Sequence, residues 1–421
     1  MTAPDHLKIT GPEDVLGFIP HALGYWPEHS LVAMSLRGKR LGATLRVDLP
    51  AAPRGAGGKS GRSSRRAAFA RTVASYLEAD DGADGSLLAL FTGNDGDGDP
   101  WAELLAELEH ALAEAGMPLR DAWIIGAGFW RNAYCRDPAC CAPGRPVDEI
   151  RNSRLNAEMV FRGSTVGAAP GADMEPSPRR ADPAALQAEQ GWSQVFSARR
   201  RDHAQFGQML DVWVRVLRAA PAPGPPRELP LGLAGYLRAT LCVQSWRDAV
   251  LVMAAAGRAA AEHGAEQFGL FDDTPAPAGL PPLPPPPLAG FAELPPAGAS
   301  STPEPGAGSG PDGPPGYGDV LLGLAPPIPD WELMGKLERI LVELGGDGGG
   351  EARAAALTAR GWIEWCRGRG SLADALFRQA GQECPGYRLA ELLAELARRG
   401  TLCGWAARRD AAWQRFAPDV A

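Results

Sequence analysis

Apolar positions near the start of the chain, Val15, Phe18, Ile19, Ala22 and Leu23, recur at helical spacing. They follow Thr10-Gly11-Pro12-Glu13, which offers a capping hydroxyl, an early proline and an acid facing the helix dipole. The pattern predicts a short helix with Pro20 inside it, ended by Gly24-Tyr25-Trp26-Pro27. Residues 30–36 and 41–49 are apolar, partly β-branched runs joined by Arg37-Gly38-Lys39-Arg40, a hairpin signature. After a polar loop, residues 66–79 read as a helix, 86–92 as a buried strand, 100–115 as an amphipathic helix and 121–129 as another strand. Strands alternating with helices predict an α/β fold, a mixed sheet with flanking helices, whose antiparallel part is the opening hairpin.

The spacing turns helical from 182 to 220 and from 229 to 263, and again in four segments, 331–344, 352–366, 372–383 and 387–399. Ala373, Phe377, Ala380 and Pro385 have the spacing of half a tetratricopeptide repeat, but without a second copy they predict a lone helical hairpin packed on something else. Between 275 and 329 lie 18 of the 40 prolines, with many Gly, Ala and Ser, a composition that predicts disorder and partial polyproline II structure. Its run Leu280-Pro-Pro-Leu-Pro-Pro-Pro-Pro suits an SH3-like groove or serves as a stiff spacer. The predicted layout is an α/β region over 1–180, a helical region packing on it over 181–271, a disordered insertion over 272–328, and a helical C-terminal unit over 329–421 that packs on the N-terminal region.

A net charge of -8 argues against general nucleic-acid binding. Only Lys8, Lys39, Lys59 and Lys336 of the 42 basic residues are lysine, a bias expected of G+C-rich coding DNA. No apolar run approaches the roughly 20 residues of a spanning helix, and Met1 to Lys8 lacks the features of a signal peptide. The expectation is a cytoplasmic protein without membrane association. Its seven cysteines, an odd number, are then expected as thiols rather than a disulfide framework.

Three features bear on chemistry. Gly57-Gly58-Lys59-Ser60 follows a strand and precedes a helix, as a phosphate-binding loop does, but Pro53 stands where that loop needs its first glycine, so a flexible basic loop is the leading reading. Cys135-Arg-Asp-Pro-Ala-Cys140-Cys141 concentrates soft ligands at a turn. Ordinary reduced thiols in a tight hairpin are the leading reading; the alternatives are zinc on Cys135, Cys140 and Cys141, which would need a fourth ligand from elsewhere and uses neighbouring cysteines that chelate one metal poorly, and a Cys135–Cys140 redox pair. Arg46 and Asp48 alternate with Leu45, Val47 and Leu49 and so share one strand face near its end, where sites in α/β sheets form, although an ordinary exposed strand face explains them as well. With Tyr25 and Trp130 they make up the candidate ligand-binding set. The six histidines are scattered, without a metal-binding pair, and no G-x-S-x-G elbow occurs.

Leu7-x-Ile9-x-Gly-Pro12-x-Asp14-Val-Leu16, followed by Ile19-Pro20-x-x-Leu23-Gly24-Tyr25-x-Pro27-x-x-Ser30-Leu31-Val32, closely resembles the start of an uncharacterised actinobacterial family, domain of unknown function 4192. Leu45 to Pro50, Trp130 through Cys135 to Cys140-Cys141, and the stretch from Ala380 to Leu393 are similar to its later blocks, with Ala142 where the family usually has proline. The resemblance brings no activity, ligand or catalytic residue. It implies that the Cys cluster and the Arg46/Asp48 face belong to the family pattern, that Gly57–Ser60 lies in a local insertion, and that the Pro/Gly stretch interrupts one family domain. The leading expectation is a non-catalytic binding or regulatory protein, with a protein partner open. The rivals are an enzyme with a site near Arg46, Asp48 and the Cys hairpin, and a nucleotide-binding protein using Lys59.

Overall fold

In the computed structural model, the opening apolar repeat forms α1 (Pro12–Leu23), which continues through Pro20 and ends where Gly24, at φ 92°, donates its amide to the Pro20 carbonyl. The model describes residues 9–50, 59–95, 100–164, 166, 167, 169, 183–219, 229–271, 282–288, 314–346 and 348–414. The predicted capping role of Thr10 is not what is observed: Gly11 is the N-cap, and the Thr10 hydroxyl donates to Asp14 Oδ2 at 2.6 Å. Asp14 is buried and also accepts the amides of Thr10 at 2.9 Å and Leu155 at 3.2 Å, so it anchors α6 (Arg154–Phe161) to α1. The buried His21 makes a second tie, with Nδ1 2.8 Å from Ser164 Oγ and Nε2 2.7 Å from Asn156 Oδ1.

Burial alone would raise the Asp14 pKa, but hydrogen bonds from the Thr10 hydroxyl and from backbone amides outweigh it and hold the carboxyl below its ordinary value. A depressed carboxylate stabilises fully above its unfolded pKa of about 3.9 and loses that contribution as pH falls through the folded value. Asp14→Ala is therefore expected to cost about 1–3 kcal/mol at neutral pH. In urea melts repeated at decreasing pH, the gap to the wild type should narrow below about pH 4; a gap independent of pH would show that the charge is not what matters.

The hairpin is β1 (Ser30–Arg37) and β2 (Arg40–Asp48), turning at Gly38, whose φ of 59° a glycine adopts without strain. α2 (Lys59–Leu77), β3 (Gly85–Phe91) and α3 (Ala102–Glu114) follow. The expected strand over 121–129 is instead two antiparallel strands, β4 (Leu119–Ile125) and β5 (Phe129–Asn132). The chain reverses at Gly126-Ala127-Gly128, where the Asp95 carboxylate accepts the amides of Gly128 at 2.8 Å and Phe129 at 3.2 Å. A short α4 (Pro138–Cys141), β6 (Arg145–Pro146) and α5 (Asp148–Arg151) lead to α6. The six strands run in the order β2-β1-β3-β4-β5-β6, with β3 and β4 the parallel pair, joined by α3 as their crossover. β1 is apolar almost throughout because both its faces are covered: Leu31 and Ala33 meet α2 and α3, while Val32 and Met34 meet α1.

The chain divides into two compact units, Met1–Met174 with Gln414–Ala421, and Glu175–Trp413. The second is helical: α7 (Pro183–Arg199), α8 (His203–Ala219), α9 (Leu231–Cys242), α10 (Gln244–Ala256), α11 (Arg258–Gln267), α12 (Tyr317–Leu321), α13 (Trp331–Gly346), α14 (Gly350–Cys366), α15 (Gly370–Glu383) and α16 (Arg388–Arg398). Here the C-terminal helices pack on those before the Pro/Gly stretch. Arg238 on α9 donates to Glu189 of α7 at 2.6 Å, to the Leu344 carbonyl at the end of α13, and to the Gly349 carbonyl at 3.1 Å. Arg247 on α10 donates to the Tyr387 hydroxyl at 2.5 Å. Gly361 on α14 leaves room for the Phe377 ring of α15.

Of the insertion predicted to be disordered over 272–328, residues 272–281 and 289–313 lie outside the described residues. Residues 314–328 differ from that prediction by packing within the helical unit. Tyr317 donates to the Ala261 carbonyl at 2.6 Å, Trp362 Nε1 to Leu321 O at 2.9 Å and Trp405 Nε1 to Pro326 O at 2.8 Å. Buried indole and phenol donors need acceptors: the segment's carbonyls serve Trp362 and Trp405, and the Ala261 carbonyl of α11 serves its Tyr317. Among the described residues, no helix is long and apolar enough to cross a membrane.

Candidate functional site

The register of the sheet separates the candidate residues. Arg46 lies opposite Val32, Val32 opposite Ala89, Ala89 opposite Trp123, and Trp123 opposite Asn132. Arg46 and the end of β5 are thus level but four strand spacings apart, about 19 Å. Arg46 is engaged locally, with Nη2 2.6 Å from Asp48 Oδ1 and Nε donating to Ser30 Oγ at 2.8 Å. The Asp48 side chain is 82% exposed. Tyr25 is buried and bridges Gly167, and Trp130 lies in the core beneath α1, with the Arg145 guanidinium 4.7 Å from its ring centroid. Arg46 and Asp48 therefore form one local group, and the Cys hairpin another.

The hairpin is built by Asn132, the last residue of β5. Its Oδ1 accepts the amides of Tyr134 at 2.9 Å and Cys135 at 3.1 Å, while its Nδ2 donates to Asp121 Oδ1 at 2.5 Å. An Asn held this way turns the chain sharply. The Asp137 carbonyl then accepts the amides of Cys140 at 3.1 Å and Cys141 at 2.8 Å, which forms the turn of α4. Tyr134 reaches back to α3, its hydroxyl 3.3 Å from Glu109 Oε2, and burial together with that carboxylate pushes its pKa up to about 12. Neither Asn132 nor Glu109 stood out in the sequence, because each acts through a partner distant along the chain.

These contacts gather the sulfurs of Cys135, Cys140 and Cys141 within 4.8 Å of one another. The adjacent pair, Cys140 and Cys141, stands 3.6 Å apart. Ligand sulfurs on tetrahedral zinc are about 3.8 Å apart, given a Zn–S bond of about 2.3 Å. The spacing objection to neighbouring cysteines is therefore met by the α4 turn. Cys135 is half-buried, Cys140 exposed and Cys141 buried.

The three thiols are not equivalent. The Asp137 backbone amide, with help from Cys141 and Cys140, holds the Cys135 pKa below the ordinary thiol value. Burial, and hydrogen bonds to the other two sulfurs, push Cys141 up to about 12. Cys135 thus gives up its proton more readily than Cys141. A bound cation would replace the shared protons with positive charge and deprotonate all three. Among the described residues no histidine or carboxylate joins the group, so three sulfurs leave one tetrahedral position for water or another ligand. None of the seven cysteines is in a disulfide. For the phosphate-loop reading, Gly57 and Gly58 lie outside the described residues, and Lys59 and Ser60 open α2.

No curated protein and no solved structure matches the chain. A family model does match, over residues 12–265 and 331–402, and the gap between those segments contains the Pro/Gly stretch. By that match over most of its length, the chain belongs to the family described as Domain of unknown function (DUF4192).

Proposed function

We propose that this protein is a non-catalytic binding protein whose working element is the Cys135/Cys140/Cys141 hairpin, and that the hairpin holds one soft divalent cation, zinc above all. The observation that carries this reading is the convergence of three sulfurs within 4.8 Å on a turn built by Asn132 and Asp137. Thiolates select soft cations over magnesium or calcium, and zinc is the abundant one that needs no redox partner. The fourth position would accept a ligand from a partner, with the exposed Cys140 at the rim of the site. The enzyme reading joined Arg46 and Asp48 to this hairpin, and their separation of about 19 Å across the sheet favours the binding reading over it. The test is elemental analysis of protein purified without a histidine tag. Zinc near one equivalent per chain supports the reading; metal-free protein that takes up no added zinc, with Cys135 and Cys140 open to a thiol reagent, overturns it.

A further inference from the structure

Within the helical unit, the proline-rich residues 282–288 lie against α7, α8 and α9. A groove of about 370 Å³ opens between α7 and this segment, lined by Gln187, Ala188, Gly191, Trp192 and Val195 on one side and by Leu283 and Pro284 on the other. Ala188 and Gly191 are the small residues of its lining and Trp192 the aromatic one, held edge-on to Tyr236 with ring centroids 4.9 Å apart. Further along, Pro286 lies beside Gly232 of α9.

The polar contact here is selective. In the stretch Pro282-Leu283-Pro284-Pro285-Pro286-Pro287-Leu288 only the two leucines have an amide N–H. Leu283 donates its own to Gln205 Oε1 at 3.1 Å. Gln205 is fully buried, and its Nε2 donates to Gln208 Oε1 at 2.8 Å, which aims the acceptor outward at the segment. Aromatic-lined grooves take up polyproline II strands, whose fixed φ makes binding cheap in entropy; here Trp192 supplies the aromatic ring and Gln205 accepts the amide that precedes a proline.

We propose that the helical face on which residues 282–288 lie, with the adjoining space beside Trp192 and Val195, is a docking surface for a proline-rich polypeptide segment of a protein partner, and that the chain's own residues 282–288 are its resident competitor. A tethered segment acts at an effective concentration on the order of millimolar, so it masks the groove from weak ligands while yielding to one that also fills the space beside Trp192 and Val195. Exchange of the same segment between two copies gains no new contact over the tethered one, which is why a distinct partner is favoured.

The test uses the full chain with Leu283→Gly and serines at 282 and 284–287, titrated calorimetrically with a synthetic peptide of residues 279–290. The variant is expected to bind one peptide, and the wild type at least about ten-fold more weakly because its own segment competes. Adding Trp192→Ala or Gln205→Leu to the variant should abolish binding, and a glycine-serine peptide of equal length should not bind. Absence of binding by a variant whose thermal melt matches the wild type overturns the proposal. So does equal affinity of variant and wild type, or binding that survives Trp192→Ala. Should the full replacement melt early, the milder Leu283→Gly, Pro284→Gly chain is titrated in its place against the same criteria.

Discussion

Serine at Cys135, Cys140 or Cys141 is expected to abolish stoichiometric zinc in the purified protein, with Cys242→Ser as the unaffected control. Each substitution removes one of three sulfurs that lie within 4.8 Å of one another, and two sulfurs, with no histidine or carboxylate joining them among the described residues, are too few to hold the ion. Asn132→Ala should be graded: it keeps every thiol but loses the acceptor for the Tyr134 and Cys135 amides that shapes the turn. Changes of this outer kind cost about 10–100-fold in metal affinity, and loss of a sulfur should exceed that. Competition against a coloured chelator measures both. Binding should also weaken on acidification, because each thiol must lose its proton to the metal. Variants that retain zinc as tightly as the wild type would place the ion elsewhere.

Arg238→Met is expected to destabilise the helical unit by about 3–5 kcal/mol, the cost of removing one partner from a buried ionic group. The guanidinium is only 4% exposed and serves three acceptors on three different segments: Glu189, the Leu344 carbonyl and the Gly349 carbonyl. Methionine fills much of the volume but leaves the 17% exposed Glu189 carboxylate without its cation and two carbonyls without their donor. Guanidinium melts followed by helical circular dichroism give the loss. A double-mutant cycle with Glu189→Gln isolates the ion pair from the two carbonyl bonds. A loss below about 1 kcal/mol, the range of surface pairs, would mean that Arg238 does not staple these helices.

Much of the local structure was legible along the chain. The hairpin at Arg37–Arg40, the helix closed by Gly24 and the four C-terminal helices follow from short-range causes: glycine at positive φ, apolar periodicity, and proline or glycine as breakers. Thr10 was misread because capping requires its hydroxyl to face the first turn, and a buried aspartate four residues on competes for it. The strand expected over 121–129 became two because the reversal at Gly126–Gly128 depends on amides satisfied by Asp95, more than thirty residues earlier.

For the site, residue identities and chemistry came from different levels. The sequence by itself determined that three thiols sit close together at a turn, and that Arg46 and Asp48 share a strand face, since both follow from spacing within a few residues. Only the tertiary structure decided that the adjacent sulfurs stand 3.6 Å apart with Cys135 beside them, and that Arg46 lies across three intervening strands from that turn. It also decided that part of the proline run lies on α7 and that Arg238 joins helices from both sides of it. The reason is physical: helix and turn formation are set by neighbours a few residues away, whereas strand order and helix packing depend on which distant apolar faces bury one another.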